Sequence, residues 1–246
     1  MALSRLARFA GMIYPPECAG CRELTSAPHG LCPDCWGDTT FISGPICDGC
    51  GIPVPAAGPG AIVHCEGCAS HPPGWDRGRA AILYEGRGRE IVLRLKHGDR
   101  LDLAPVLARW LARAGADLLD CADVVAPVPL HWTRLVKRRA NQAAELVRRP
   151  ELRPGRPITD LLIRTARTPP LRGKSRDERH AMLQGLIRAN PARAQLIAGR
   201  TVLLVDDVMT TGATLSAAAE ACRAAGARQV YALVVARVAR AGSPLI

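Results

Sequence analysis

From residue 76 onward, short unbroken apolar runs alternate with stretches whose apolar positions recur at helical spacing. Arg79 to Tyr84, Val124 to Pro129, Thr201 to Val205 and Gln229 to Ala236 predict strands. Gly88 to Lys96 predicts a helix stopped by Gly98. Leu103, Val106, Leu107, Trp110, Leu111 and Leu118 share one face, which predicts a helix over 103–119. Asn141 to Arg149 predicts another, and Leu215 to Ala225 a third that ends at Gly226. Ser175, with Glu178 three residues on, has the form of a capping box and opens a further helix. Ile158 to Thr165 fits either a helix or a strand. Strands that are apolar at every position are covered on both faces. Strands alternating with helices predict an α/β fold built on a parallel sheet.

The first 75 residues follow neither period. Segment 14–75 is rich in Gly, Pro and short polar runs, and 52–63 reads as a long loop. Pro72-Pro73-Gly74 marks the boundary, so the expected domains are 1–75 and 76–246. Leu3 to Ile13, with Arg5 and Arg8, reads as an amphipathic N-terminal helix rather than a signal peptide. No run of 18 or more apolar residues occurs, so no membrane span is expected, and the expected compartment is the cytoplasm.

What the N-terminal segment lacks in core it makes up in cysteine. Eight of the ten cysteines form four C-x-x-C pairs: Cys18/Cys21, Cys32/Cys35, Cys47/Cys50 and Cys65/Cys68. Each pair offers two thiolates to a tetrahedral ion. Disulfides and an iron–sulfur cluster are the rival readings. Evenly paired knuckles without a secretion signal favour zinc, in two Cys₄ sites. Pairing in sequence order gives two ribbons, and interleaved pairing is open. Metal then supplies the folding free energy that so small an apolar content cannot. Cys121 and Cys222 stand apart and read as buried structural residues.

The run Val202-Leu203-Leu204-Val205-Asp206-Asp207-Val208-Met209-Thr210-Thr211-Gly212-Ala213-Thr214 carries the chemistry. A buried strand, a small-residue loop and a helix build a nest of backbone N–H groups at a helix N-terminus, which binds phosphate. Thr210, Thr211, Gly212, Ala213 and Thr214 form that nest. Asp206 and Asp207 suit the vicinal hydroxyls of a ribose, or Mg²⁺. A Walker-type loop would need Gly-Lys-Ser/Thr, which is absent. The run resembles the phosphoribosyl-pyrophosphate (PRPP) motif of type I phosphoribosyltransferases.

Charge agrees with a polyanionic ligand. Residues 1–75 carry three Arg against six Asp/Glu, whereas the remainder holds the positive excess behind a net charge of +11. Lys96, Lys137 and Lys174 are the only lysines in an arginine-rich chain, which hints at a need for a compact ammonium. In open α/β sheets ligands gather at strand carboxyl ends. The loop after Pro127-Val128-Pro129 is therefore the candidate pyrophosphate site, with Arg134, Lys137, Arg138 and Arg139 as cations and Asn141 and Gln142 to orient them. Lys96 and Lys174 join the candidate PRPP ligands.

Nearly the whole chain resembles the competence protein ComF family (ComFC-like). The likeness rests on the knuckles, Ala81-Ile82-Leu83-Tyr84-Glu85-Gly86, Leu93-Arg94-Leu95-Lys96-His97-Gly98, Pro127-Val128-Pro129-Leu130-His131-Trp132, Arg138 with Asn141-Gln142-Ala143, and the PRPP motif. It departs at Arg139-Ala140 and over 171–188. The resemblance implies a double zinc ribbon before a type I phosphoribosyltransferase-like parallel sheet flanked by helices. It implies PRPP with Mg²⁺, a mobile lid carrying Arg172, Lys174, Arg176 and Arg179, and a role in DNA uptake and natural transformation. Single-stranded DNA and other DNA-uptake proteins are then the expected partners. Two other classes are a phosphoribosyltransferase of nucleotide salvage or synthesis with an unidentified acceptor, and a zinc-ribbon scaffold for nucleic acid or protein. No base-binding signature is visible.

Overall fold

The structure is a computed structural model, and it describes residues 15–25, 30–55, 58, 62–97, 100–130, 140–152, 160–166, 178, 181–183 and 185–239. The N-terminal helix, the start of the Ser175 helix, and Arg134, Lys137, Arg138, Arg139, Arg172, Lys174, Arg176 and Arg179 lie outside these residues.

Two short helices, α1 (Pro33–Gly37) and α2 (Glu66–Ser70), each start beside a knuckle cysteine. Then follow β1 (Arg77–Leu83), α3 (Gly86–His97), α4 (Ala104–Ala114), α5 (Ala116–Cys121) and β2 (Val124–Pro127). Next come α6 (Gln142–Val147), β3 (Leu162–Arg164), β4 (Ile187–Ala189), β5 (Thr201–Met209), α7 (Ala213–Ala224) and β6 (Gln229–Arg237). The main sheet has the order β1-β6-β5-β2, and every pair in it is parallel. β3 and β4 make a separate antiparallel pair.

Both faces of the sheet are covered, as the continuous apolar runs require. Val202 and Leu204 of β5 join Val230, Ala232 and Val234 of β6 in a core with α7. Leu203, Val205, Tyr231, Leu233 and Val235 point the other way, into a core with α3, α4 and α6. Among the described residues no helix is long and apolar enough to cross a membrane.

Three local expectations change, and one left open is settled. The helix expected over 103–119 breaks at Gly115, where a Cβ would stand 2.7 Å from Leu233 Cδ1. Close approach to β6 fixes a glycine there, and apolar periodicity carries no trace of it. β5 continues through both acids to Met209, because β6 runs beside it as far as Arg237. Residues 162–164 are strand, settled by a partner more than twenty positions away. Cys222 is buried as expected, but Cys121 is exposed: Leu118, Leu119 and Ala122 take the inward face of its short helix.

The cysteine segment is built onto the sheet. Residues 40–42 run antiparallel along the free edge of β1, with Ile42 N donating to Ala81 O (3.0 Å) and Leu83 N to Thr40 O (2.9 Å). This covers an edge that would otherwise present open hydrogen-bonding groups. Phe41 stacks on Trp36 of α1 and meets Trp110 of α4 edge-on, with centroids 4.4 and 5.0 Å apart. Cys47, Cys50, Ile52 and Val54 belong to the α7-side core. Asp48 pairs with Arg77 and the buried Arg79, which also reach Asp117 of α5. Docking is thus both apolar and ionic.

Candidate phosphate loop and metal centres

The cysteines group in sequence order. Cys18, Cys21, Cys32 and Cys35 form one cluster; Cys47, Cys50, Cys65 and Cys68 form the other; within each, all Sγ atoms lie within 4.8 Å of one another. A tetrahedral ion with Zn–S bonds of about 2.3 Å sets sulfurs about 3.8 Å apart. Cys21 and Cys32 Sγ are 3.6 Å apart and Cys50 and Cys65 Sγ 3.7 Å, so both clusters have the size zinc needs. Backbone N–H groups of Gly20 and Cys32 point at Cys18 Sγ, at 3.3 and 3.2 Å. Burial raises the Cys18 thiol, but the N–H groups of Cys32, Cys21 and Gly20 outweigh it and draw the thiol down to about 6. Such a sulfur is ready to bind metal as thiolate.

At the carboxyl end of β5 the chain turns through Thr210 and Thr211 to Gly212, which is left-handed (φ 81°) and caps α7. Ser216 is the first residue to close a helical turn, back to Gly212 O at 2.8 Å. The N–H groups ahead of it, at Ala213, Thr214 and Leu215, face out along the helix axis. Ala213 N is also 3.4 Å from Thr211 Oγ1. Asp206 and residues 208–215 line an open depression of about 300 Å³ over this turn. A helix N-terminus with hydroxyls and close backbone is the kind of place where anions bind.

Lys96, from the last turn of α3, reaches the second of the two acids: its Nζ is 3.0 Å from Asp207 Oδ1. Asp206 Oδ1 accepts from the N–H of Asp207 (2.9 Å). Burial, then the adjacent Asp207 charge, push the Asp206 carboxyl up to about 7, against Lys96, that N–H and Arg164 of β3. A carboxyl raised in the fold destabilises it once ionised. This penalty is absent near pH 4, grows as pH rises toward 7, and is full above that. Asp206→Asn is therefore expected to be more stable than the parent at pH 8, by roughly 3 °C in melting temperature. The gap should close toward pH 5. Calorimetry without ligand at both pH values checks this; a gap that does not vary with pH contradicts it.

Asn141 and Gln142 stand at the start of α6. Asn141 caps it, accepting from Ala143 N (3.1 Å) and donating to Val128 O (3.2 Å), so it ties α6 to the end of β2. Gln142 is buried, and its Oε1 has no hydrogen-bond partner among the described residues.

Three residues near the site were not foreseen. Arg164 acts on Asp206 from a strand whose existence the sequence left open. Trp75 packs its ring edge on Gly212, where a Cβ would come within 2.7 Å of Cη2. Arg237, at the end of β6, donates from Nη1 to Met209 O (3.1 Å) and Thr210 O (2.5 Å). A lone tryptophan after Pro-Pro-Gly and an arginine ending an apolar strand were the available signals.

The double zinc ribbon domain family matches residues 9–69, and the phosphoribosyl transferase domain family matches residues 111–244. The chain is 28% identical to Competence protein F of Haemophilus influenzae over 228 residues, 90% of this chain and 96% of that one. It is also 28% identical to DNA utilization protein YhgH of Escherichia coli K12 over 229 residues, 89% of this chain and 96% of that one. Two Cys₄ clusters of zinc dimensions precede a parallel sheet whose central strand runs into a small-residue turn at a helix N-terminus, and the chain belongs to the phosphoribosyl transferase domain family, with a double zinc ribbon at its N-terminal side.

Proposed function

We propose that this protein binds PRPP as its Mg²⁺ complex in the loop after β5 and serves as a ComF-type factor in DNA uptake. One observation carries the PRPP reading: a left-handed glycine opens the N-terminus of α7 directly beyond two adjacent acids at the end of a central parallel strand. Thr210 to Thr214 hold the 5-phosphate, and Asp206 and Asp207 take the ribose hydroxyls. Lys96 offsets the charge of Asp207, so that the pyrophosphate can approach two carboxylates. Arg134, Arg138 and Lys174 are proposed as further cations for the leaving pyrophosphate, with Asn141 and Gln142 fixing the loop that carries the first two. In a transfer reaction the C1–O bond would break, pyrophosphate would leave with the electron pair, and an acceptor would bond to C1. Positive charge placed where the leaving group gains negative charge is what lowers that barrier. The DNA-uptake reading rests on the names of the two relatives and on the net charge of +11.

PRPP with Mg²⁺ at about a hundred times its Kd is expected to add about 2.7 kcal/mol, a shift of roughly 5–10 °C for a chain this long. Asp206→Ala with Asp207→Ala should abolish the shift and leave zinc content unchanged. An equal shift in the double variant refutes the assigned site. On the same preparation, single-stranded DNA should bind with an affinity that falls steeply with salt. Pyrophosphate release with one nucleobase, and no DNA binding near physiological salt, would overturn the DNA reading in favour of a small-molecule transferase.

A further inference from the structure

The phosphate loop and the second cysteine cluster touch the same buried side chain. Trp75 is 5% exposed. Its Nε1 donates to Gly49 O at 2.7 Å, inside the Cys47–Cys50 knuckle, while the far edge of its ring lies against Gly212. Gly49 is itself close to the cluster: a Cβ there would stand 3.3 Å from Cys68 Sγ. One rigid ring therefore spans from a metal knuckle to the residue that opens α7.

Arg237 braces the same loop. It is also 5% exposed. Its Nη1 donates to the carbonyls of Met209, Thr210 and Val238, so it holds the backbone that begins the phosphate loop.

We propose that Trp75 is a positioning residue that couples metal occupancy at Cys47, Cys50, Cys65 and Cys68 to the phosphate affinity of residues 210–214, whereas the first cysteine cluster is uncoupled. This rests on the loop being the PRPP site. Among the described residues the first cluster shares no side chain with the loop: Cys18, Cys32 and Cys35 pack among themselves, and its contacts run to α3, where Arg94 donates to Gly20 O. Coupling free energies are reciprocal, so the ligand must tighten the metal as much as the metal tightens the ligand.

The experiment uses the full chain, a zinc-selective chelator and PRPP with Mg²⁺, well below the melting temperature. Zinc release is followed with a coloured indicator. PRPP is expected to slow the loss of one of two zinc ions about tenfold and leave the other unchanged. In Cys21→Ser the single remaining zinc should be the protected one. Trp75→Phe keeps the apolar ring but removes the N–H that binds Gly49 O. It should retain both zinc ions, bind PRPP about tenfold more weakly, and lose the protection. If PRPP raises the melting temperature but protects neither zinc, or protects both equally, the coupling is refuted while the PRPP site stands. If PRPP neither binds nor shifts melting, the site assignment fails and the coupling falls with it.

Discussion

Cys47→Ser is expected to bring down the whole fold, whereas Cys21→Ser should cost little more than one metal ion. The two cysteines have the same chemistry but different surroundings. Cys47 is fully buried in the core that α7, β5 and β6 share, and its neighbours Ile52, Val54 and Trp75 belong to the same core. Structural zinc is worth roughly 10–16 kcal/mol of folding free energy in small ribbons, and without it the second ribbon has too little apolar surface to keep its shape. Its collapse would uncover the sheet face beneath and strip Asp48 from the buried Arg79. Arg79 would keep Asp117 at 2.7 Å, so this loss adds a smaller cost to that of the ribbon itself. Cys21 is only partly buried, at the margin of a cluster made of the first ribbon's own cysteines. Serine at 47 should therefore lower the main melting transition by more than about 10 °C or leave the chain insoluble, and serine at 21 should move it by a few degrees. Calorimetry with zinc analysis of both variants checks this. Equal losses would mean that the two ribbons are energetically alike.

The second large effect belongs to Gly212→Ala. The residue has φ 81°, a conformation that costs an L side chain about 1–2 kcal/mol. The new methyl would also lie 2.7 Å from Trp75 Cη2, and Trp75 cannot retreat without breaking its bond to Gly49. Overpacking of this kind adds about 1–3 kcal/mol. A total near 3 kcal/mol corresponds to a drop of roughly 6–12 °C. Any relief must come from the loop, so the N–H groups at the start of α7 would turn away from the phosphate. Loss of PRPP binding with zinc content intact is the expected result; a variant that melts with the parent and binds PRPP equally well would contradict the geometry.

The metal chemistry was legible because it is local. Each C-x-x-C pair fixes its own knuckle, and the structure had only to choose which pairs meet. The strand–turn–helix around Gly212 was legible for the same reason: strand end, acids, glycine and helix start lie within fifteen residues. What escaped the sequence lies across it. The break at Gly115 answers to Leu233, the strand at 162–164 to residues 187–189, and the clamp on Thr210 to Arg237. Periodicity reads one element against its own core and says nothing about which distant backbone comes within 3 Å. Lys96 was picked out for its rarity, and its contact with Asp207 gives that rarity a place.

The order β1-β6-β5-β2 also sets a schedule for synthesis. β1 leaves the ribosome roughly 150 residues before the strand that pairs with it in parallel, an interval of about 8–30 s at ordinary elongation rates. Throughout that time one edge and both faces of β1 have no sheet to join. Its other edge is matched at once by residues 40–42, made just before it. Both metal clusters are complete in sequence by Cys68, so they can close while the remainder of the chain is still being added. The ribbons then serve the nascent chain as a built-in escort, shielding half of an aggregation-prone strand until β6 arrives.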